Sequence, residues 1–193
     1  MAALTLNLII GAATGAPGAA HGQDAAPSEY QMKAAFLYNF AKYVDWPVSV
    51  LPEHAPLVFG VYGDDPFDGA LQTIIHDKVI SGHGMIVRHI TSLRDVTNCH
   101  VLFISKSESR HLEEITTALR GRPILTVSDT EGFKRQGGMI GLIKADNNIR
   151  FEINREAAAR EGLLLSSKLL RLDTTAPVLG ENPVKPPGTN DPK

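Results

Sequence analysis

Cysteine is nearly absent from this chain of 193 residues, because Cys99 is its only one. A single cysteine excludes a disulfide within the chain, although it leaves a bridge between two chains open. Cys99 stands just before the apolar run of residues 101–104, and free cysteine is among the residue types most often buried. We therefore expect Cys99 to be a free, buried and unreactive thiol with a structural role.

An excess of positive charge and the motifs of common reactive sites are lacking as well. The formal net charge is −2, and Lys and Arg are scattered along the chain, so we do not expect a nucleic-acid partner. None of the seven histidines forms a pair at i and i+4, and neither a Gly-x-Ser-x-Gly elbow nor a complete Gly-x-Gly-x-x-Gly loop occurs. We expect a protein that is not an enzyme, with no catalytic residue, no metal site and no cofactor.

Long hydrophobic runs are also missing, which argues against insertion into a membrane. Residues 1–22 contain a short apolar run followed by small residues, a pattern typical of a secretory signal peptide, although no Lys or Arg precedes Lys33. Residues 173–193 are rich in proline and favour disorder. The sequence thus predicts a signal peptide at residues 1–22, one α/β domain at residues 28–172 and a disordered tail at residues 173–193.

Helix and strand patterns alternate through the predicted domain. Ser28 and Gln31 form a capping box, and apolar residues at helical spacing then continue through Val44 until Pro47. Asp65 is predicted as a helix N-cap with Pro66 at the first helical position. The other predicted boundaries are strands at residues 57–62, 85–90, 101–104 and 123–127, helices at 107–121 and after Asn154 and Ser166 or Ser167, and a hairpin of residues 139–143 with 149–153.

This order of elements predicts an α/β fold. We expect a mostly parallel sheet flanked by helices on both faces, with a C-terminal antiparallel hairpin and two short C-terminal helices. Ligands of such sheets bind beyond the carboxyl ends of the strands. The polar residues at those ends form the predicted ligand-binding crevice, and each also has a structural use as a cap or a turn former: Gly63, Asp64, Asp65, Ser105, Ser128 and Asp129.

Several stretches resemble one family of small exported proteins. They are residues 33–47 (KAAFLYNFAKYVDWP), 99–104 (CHVLFI), 123–129 (PILTVSD), 137–140 (GGMI), 151–154 (FEIN) and 165–172 (LSSKLLRL). In this order they resemble the YfiR-like family of periplasmic regulators, and together they cover nearly all of residues 30–172.

The resemblance implies a location, a partner and a mode of action. It implies a periplasmic protein, often a homodimer, that binds the periplasmic sensor domain of an inner-membrane diguanylate cyclase. The resemblance further implies that such a protein represses cyclic-di-GMP synthesis and thereby affects biofilm formation and motility. It also implies that an outer-membrane lipoprotein relieves the repression. Because only Cys99 is present, the thiol-based regulation of relatives with more cysteines cannot be carried over. The alternative is a periplasmic receptor that binds a small molecule in the strand-end crevice.

Overall fold

In the computed structural model, which describes residues 27–145 and 148–173, the first element is the helix α1 (Glu29–Lys42). Its capping box is confirmed: the Gln31 amide donates to the Ser28 hydroxyl, and the Ser28 amide donates to the Gln31 side chain. The expected signal peptide at residues 1–22 and residues 174–193 of the expected tail lie outside the described residues. Nothing in the described part of the chain forms an apolar helix long enough to cross a bilayer.

The described residues form a mixed α/β structure with five α-helices and a seven-stranded, mostly parallel sheet. The other helices are α2 (Ala70–Ile75), α3 (Leu112–Ala118), α4 (Arg155–Arg160) and α5 (Ser167–Arg171). The strands, in chain order, are β1 (Val44–Asp45), β2 (Leu57–Tyr62), β3 (Val79–Ile80), β4 (His83–Ile90), β5 (Val101–Ile104), β6 (Leu125–Ser128), β7 (Ile140–Ala145), β8 (Asn148–Ile153) and β9 (Leu164–Leu165). The spatial order in the large sheet is β3-β4-β2-β5-β6-β7-β8, and β1 pairs separately with β9.

Parallel pairing joins the five central strands from β4 to β7, and β3 and β8 add antiparallel pairing at the two edges. Because the carboxyl ends of parallel strands lie along one edge of the sheet, the loops after β2, β5 and β6 come close together. The pairs Tyr62 with Ile104 and Ile104 with Ser128 set this alignment.

The central strands bury side chains on both of their sides. All of β5 is buried, with Val101 and Phe103 in one hydrophobic cluster and Leu102 and Ile104 in another. The larger cluster includes Phe40 of α1, and the smaller one includes residues of α3. Side chains alternate between the faces of a strand, so a run of consecutive apolar residues is what a strand buried on both faces requires.

Two predicted helix boundaries are wrong near the first strands. The first helix ends at Lys42 rather than continuing to Pro47, and Val44 belongs to β1. Asp65 does not cap a helix, because its carboxylate accepts from the Phe67 amide 2.9 Å away and forms a local turn. The helix α2 begins at Ala70, after Gly69, whose φ of +78° is not helical.

Other boundaries also differ from the prediction. A helix was predicted to begin at Ser107. Instead, Lys106–Glu108 form a short 3₁₀ turn, and α3 begins only at Leu112. The edge strand β3 has two residues, too few to give an alternating pattern, and it was not predicted. A 3₁₀ turn, Phe133–Gln136, lies between β6 and β7.

Candidate functional site

The predicted crevice residues follow the carboxyl ends of β2, β5 and β6, but they divide into two groups. Gly63, Asp64 and Asp65 lie in the loop after β2, and their contacts are local or to the loop after β5. The Asp64 amide donates to the Ser107 hydroxyl 3.0 Å away. Gly63 has a φ of +86°, and a Cβ there would lie 2.4 Å from the Ser107 oxygen, so these two loops meet closely.

The second group lies deeper. Ser105 and Ser128 are buried, and the Ser128 hydroxyl accepts from the Thr130 amide 3.1 Å away. Asp129 follows directly, and its side chain is only 2% exposed. Its carboxylate oxygen Oδ2 interacts with the α1 residues Lys33 and Tyr30, at 2.5 Å and 3.0 Å respectively. The structure therefore brings Asp129 to α1 and not to Asp64 or Asp65.

Around Asp129 lies a group of charged and polar side chains that we call the strand-end cluster. It consists of Glu29, Tyr30, Lys33, Lys106, Asp129 and Lys144. Its α1 members were not predicted from the sequence, although Glu29 and Lys33 stand at i and i+4, a spacing that favours an ion pair on one helix face.

Lys33 is the central cation of the strand-end cluster. Its ammonium group lies 2.5 Å from both Glu29 and Asp129 and 4.3 Å from the centre of the Tyr30 ring, while its side chain is only 1% exposed. A buried charge is tolerated when it has charged and hydrogen-bonding partners of this kind. The interaction with Asp129 joins residues 96 positions apart, so it holds the first turns of α1 against the ends of the strands.

Electrostatic effects in the strand-end cluster act on two titratable groups. Hydrogen bonds from Lys144, at 2.7 Å, and from Lys33 lower the pKa of Glu29 to about 2. Burial, together with the negative charge of Asp129, raises the pKa of Tyr30 well above its ordinary value of 10. Glu29 is thus ionised and Tyr30 is neutral over the whole physiological range, which preserves the interactions of both with their partners.

One atom of the strand-end cluster lacks a partner. Tyr30 and Lys33 both donate to Oδ2 of Asp129, and Lys106 forms an ion pair with it at 3.6 Å, whereas Oδ1 is buried and has no hydrogen-bond partner among the described residues. The three lysines and two carboxylates are otherwise paired with one another. This arrangement favours a clamp between α1 and the sheet, because α1 fills the place that a ligand of the predicted crevice would occupy.

Surface cavities lie elsewhere. One, of about 590 Å³, is a groove between α1 and α2 that includes Met32, Ala35, Phe67 and Ile74 in its lining. Another, of about 600 Å³, lies on the outer side of α3, and a third, of about 360 Å³, lies near the amino ends of β5 and β6. Within residues 27–145 and 148–173, no group of three His, Cys, Asp or Glu side chains is placed to hold a metal ion.

Cys99 lies beside β2, with 2% of its surface exposed, and its thiol donates to the Val101 carbonyl 3.1 Å away. Burial raises the pKa of Cys99 to about 12, so the reactive thiolate is scarce at neutral pH. A Cβ at Gly60 would lie 2.7 Å from the sulfur, so a glycine is needed opposite it. Neighbouring His100 accepts from the Val58 amide through Nδ1, and burial lowers its pKa.

Comparison with protein families gives a match over almost all of the described residues. A family model described as YfiR/HmsC-like matches residues 30–173, which include α1, all seven strands of the large sheet and both C-terminal helices. The YfiR/HmsC-like family comprises periplasmic regulators of diguanylate cyclases, and it is a regulatory rather than a catalytic family.

Proposed function

The chain belongs to the YfiR/HmsC-like family, and we propose that it is a periplasmic negative regulator of an inner-membrane diguanylate cyclase. In this proposal it binds the periplasmic sensor domain of the cyclase and represses cyclic-di-GMP synthesis, which in turn affects biofilm formation and motility. The observation that carries the proposal is the family match over residues 30–173. The sequence stretches that resemble this family lie within the same range and occur in the same order as in the family.

The strand-end cluster favours a structural role for its residues over a catalytic one. A general acid or base must reach a substrate, and a nucleophile needs a base beside it. In this cluster Asp129 is buried against Lys33, and the nearby Ser128 hydroxyl is hydrogen-bonded to Thr130. These groups stabilise the fold, so the surface of the domain remains for contact with a partner.

Repression by binding requires only a difference in affinity between two states of the cyclase. A regulator that binds the inactive state about 100-fold more tightly than the active one contributes about 2.7 kcal/mol. This free energy moves a balanced equilibrium almost wholly to the inactive state. Modest contacts on one surface of a domain of this size can provide it.

The proposal extends to the parts of the chain outside the described residues and to further partners. Residues 1–22 act as the signal peptide, and residues 28–172 form the regulatory domain. The domain acts as a homodimer, and an outer-membrane lipoprotein relieves the repression. Export is essential to the proposal, since the sensor domain of the cyclase faces the periplasm.

The test compares cyclic-di-GMP in three strains: a deletion strain, the same strain with the full chain restored and the same strain with a form lacking residues 1–22. Deletion should raise the nucleotide level, and only the full chain should lower it again. Unchanged nucleotide on deletion, with the cyclase shown to be expressed, contradicts the proposal. Equal repression by the shortened form contradicts export.

A small-molecule receptor is the second candidate, and the groove of about 590 Å³ between α1 and α2 favours it. In the predicted strand-end crevice, at Gly63, Asp64, Asp65, Ser105, Ser128 and Asp129, a ligand that contacts Asp129 would have to displace Tyr30 and Lys33 of α1. Isothermal titration of the purified protein with periplasmic extract fractions, before and after removal of small molecules, separates this candidate from the first.

A further inference from the structure

The large sheet has an open edge along β4. On its inner side, β4 pairs with β2 from Met85 to Ile90. On its outer side it pairs only with the two-residue strand β3, through His83 and Gly84. Over the six residues from Met85 to Ile90, the outer side of β4 therefore has no strand partner among the described residues.

The hairpin between β3 and β4 determines which backbone groups face outward. Ile80 and His83 flank a two-residue turn, Ser81 and Gly82, whose φ angles of +51° and +85° are those of a type I′ turn. The residues that flank such a turn exchange backbone hydrogen bonds, so His83 directs its N–H and C=O groups toward β3. By the alternation of a strand, Met85, Val87 and His89 direct theirs to the same outer side.

The open edge has little of the usual protection against pairing. Exposed edges are commonly protected by proline, by charged side chains or by a covering segment, and β4, of sequence HGMIVRHI, contains no proline and one Arg or Lys side chain, Arg88. Apolar side chains on it are accessible: Ile86 is 43% exposed, and Val79 of β3 is 66% exposed. By contrast, at the opposite edge of the sheet, the Ile153 amide donates to the carboxylate of Asp173.

Charge determines which kind of strand fits the open edge. His83, Arg88 and His89 give β4 basic character, and β4 contains no acidic residue. No ion pair involves Arg88 in the described part of the chain. A second copy of the chain would place a second Arg88 at the same edge, and like charges on neighbouring strands are destabilising. An acidic strand would instead complement them.

We propose that the open edge of β4 binds an extended acidic segment of the partner protein, which adds to the sheet as an extra strand. The backbone groups of Met85, Val87 and His89 supply its hydrogen bonds, and Arg88 pairs with a carboxylate of the segment. Ile86 and Val79 provide apolar contacts beside it. The inference rests on the proposed function, because it takes the periplasmic domain of the repressed cyclase as the partner.

The first test removes one outward N–H group. Val87→Pro deletes the donor but keeps the inner pairing, since a proline is tolerated in an edge strand where its missing N–H would face solvent. Val87→Ala is the matched control, because it loses the same packing and keeps the N–H. We expect Val87→Pro to weaken binding of the purified periplasmic domain of the cyclase at least about tenfold relative to Val87→Ala. Both variants must first show the thermal unfolding of a folded protein.

The second test reverses the charge. Arg88→Glu should weaken the same binding about tenfold or more, mainly by slowing association, and the loss should shrink at high salt. Arg150→Glu on β8 is the matched control, because it makes the same change of net charge at the opposite edge of the sheet and should bind like the wild type. A peptide of the bound segment with its acidic residues replaced by amides should also bind the wild type more weakly.

The outcomes separate the inference from the function on which it rests. If the wild-type chain binds the periplasmic domain and both Val87→Pro and Arg88→Glu bind it equally well, the edge is not the contact surface, although the regulatory function stands. If Val87→Pro unfolds while Val87→Ala does not, the Val87 N–H points inward and the inference is wrong. If the wild type does not bind the domain at all, the proposed function fails and the inference fails with it.

Amide hydrogen exchange of the free, full-length chain tests whether the open edge of β4 is covered by the periplasmic domain or by a second copy of the chain. The amides of Met85, Val87 and His89 should exchange faster than those of Ile86 and Arg88, and they should become protected when the periplasmic domain is added. Protection already present in the free chain, together with a dimeric mass, would assign the edge to a second copy and overturn the inference.

Discussion

The carboxyl ends of the strands and the outer edge of β4 belong to the same sheet, but they differ in whether their polar groups are paired within the chain. At the strand ends, Lys33, Asp129 and Glu29 are paired with one another inside the chain. Along β4, the outward backbone groups and the Arg88 side chain have no partner in the described structure. Intermolecular hydrogen bonds form most readily where groups are not already paired. The predicted ligand crevice is therefore the less suitable of the two regions for a partner.

The first prediction concerns α1, the helix that contributes Glu29 and Lys33 to the strand-end cluster, and the apolar packing that supports it. Phe40 is 1% exposed and packs against Phe36 in a tilted arrangement and against Phe151 edge to face, with ring centres 5.8 Å and 5.0 Å away. Phe40→Ala should lower the free energy of unfolding by about 3 to 5 kcal/mol because it leaves a cavity under α1. Urea denaturation measures this. A loss below about 1 kcal/mol, with partner binding abolished, would show that α1 is an interface instead.

The second prediction concerns the ionic clamp. Lys33→Ala should cost about 3 kcal/mol, because it leaves the Asp129 carboxylate buried without its main partner. The value lies at the low end for a buried pair since Lys106, 3.6 Å away, offers partial compensation. The double variant Lys33→Ala with Asp129→Ala should cost less than the sum of the single variants. Additive losses would mean that the two residues do not interact.

The third prediction uses the acidity of Glu29. Its pKa is about 2 in the folded protein against an ordinary value of 4.5, so the folded state favours the ionised form. The resulting stabilisation is present above about pH 4.5 and is lost as the pH falls toward 2. The stability difference between the wild type and Glu29→Gln should therefore shrink across this window. In Lys144→Met, which lacks the largest cause of the lowered pKa, the loss should be smaller and should be complete at a higher pH.

The smallest effect on the free energy of unfolding is expected at the outer edge of β4. Arg88→Gln should change the free energy of unfolding by less than about 0.5 kcal/mol, because its side chain is exposed and no ion pair is broken. Equilibrium denaturation of Arg88→Gln and Lys33→Ala under the same conditions compares the two regions directly. A loss above about 2 kcal/mol would mean that the β4 edge is structurally engaged and not free for a partner.

Local patterns in the sequence predicted local structure well. Ser28 caps α1, Asn154 caps α4 and Ser166 caps α5, each through a hydrogen bond to an amide three residues along the chain. These contacts depend on neighbours only, so a short window contains all the information. Predictions that extrapolated a pattern past a turn were less successful: Asp68 and Gly69 adopt positive φ angles, and α2 therefore starts later than Asp65 and Pro66 indicate.

The candidate site was predicted only in part, because its key contact is not local. The sequence placed Asp129 at a strand end but gave no indication that Lys33 would lie 2.5 Å away, since 96 positions separate them. The open edge of β4 was equally hidden. Strand order is decided by long-range pairing, and the shortness of β3 matters only once β4 is known to lie next to the sheet edge.

By itself, the sequence determined the types of the main elements, the caps of α1, α4 and α5, the main strand runs and the family, because each of these follows from the order of residues along the chain. Tertiary structure alone decided that α1 would close over the strand ends through Lys33 and Asp129, and that Met85 to Ile90 would form an unpartnered edge. The physical reason is that charge pairing and hydrogen bonding between strands act over a few ångströms in space. Which residues come within that distance is set by how the whole chain packs.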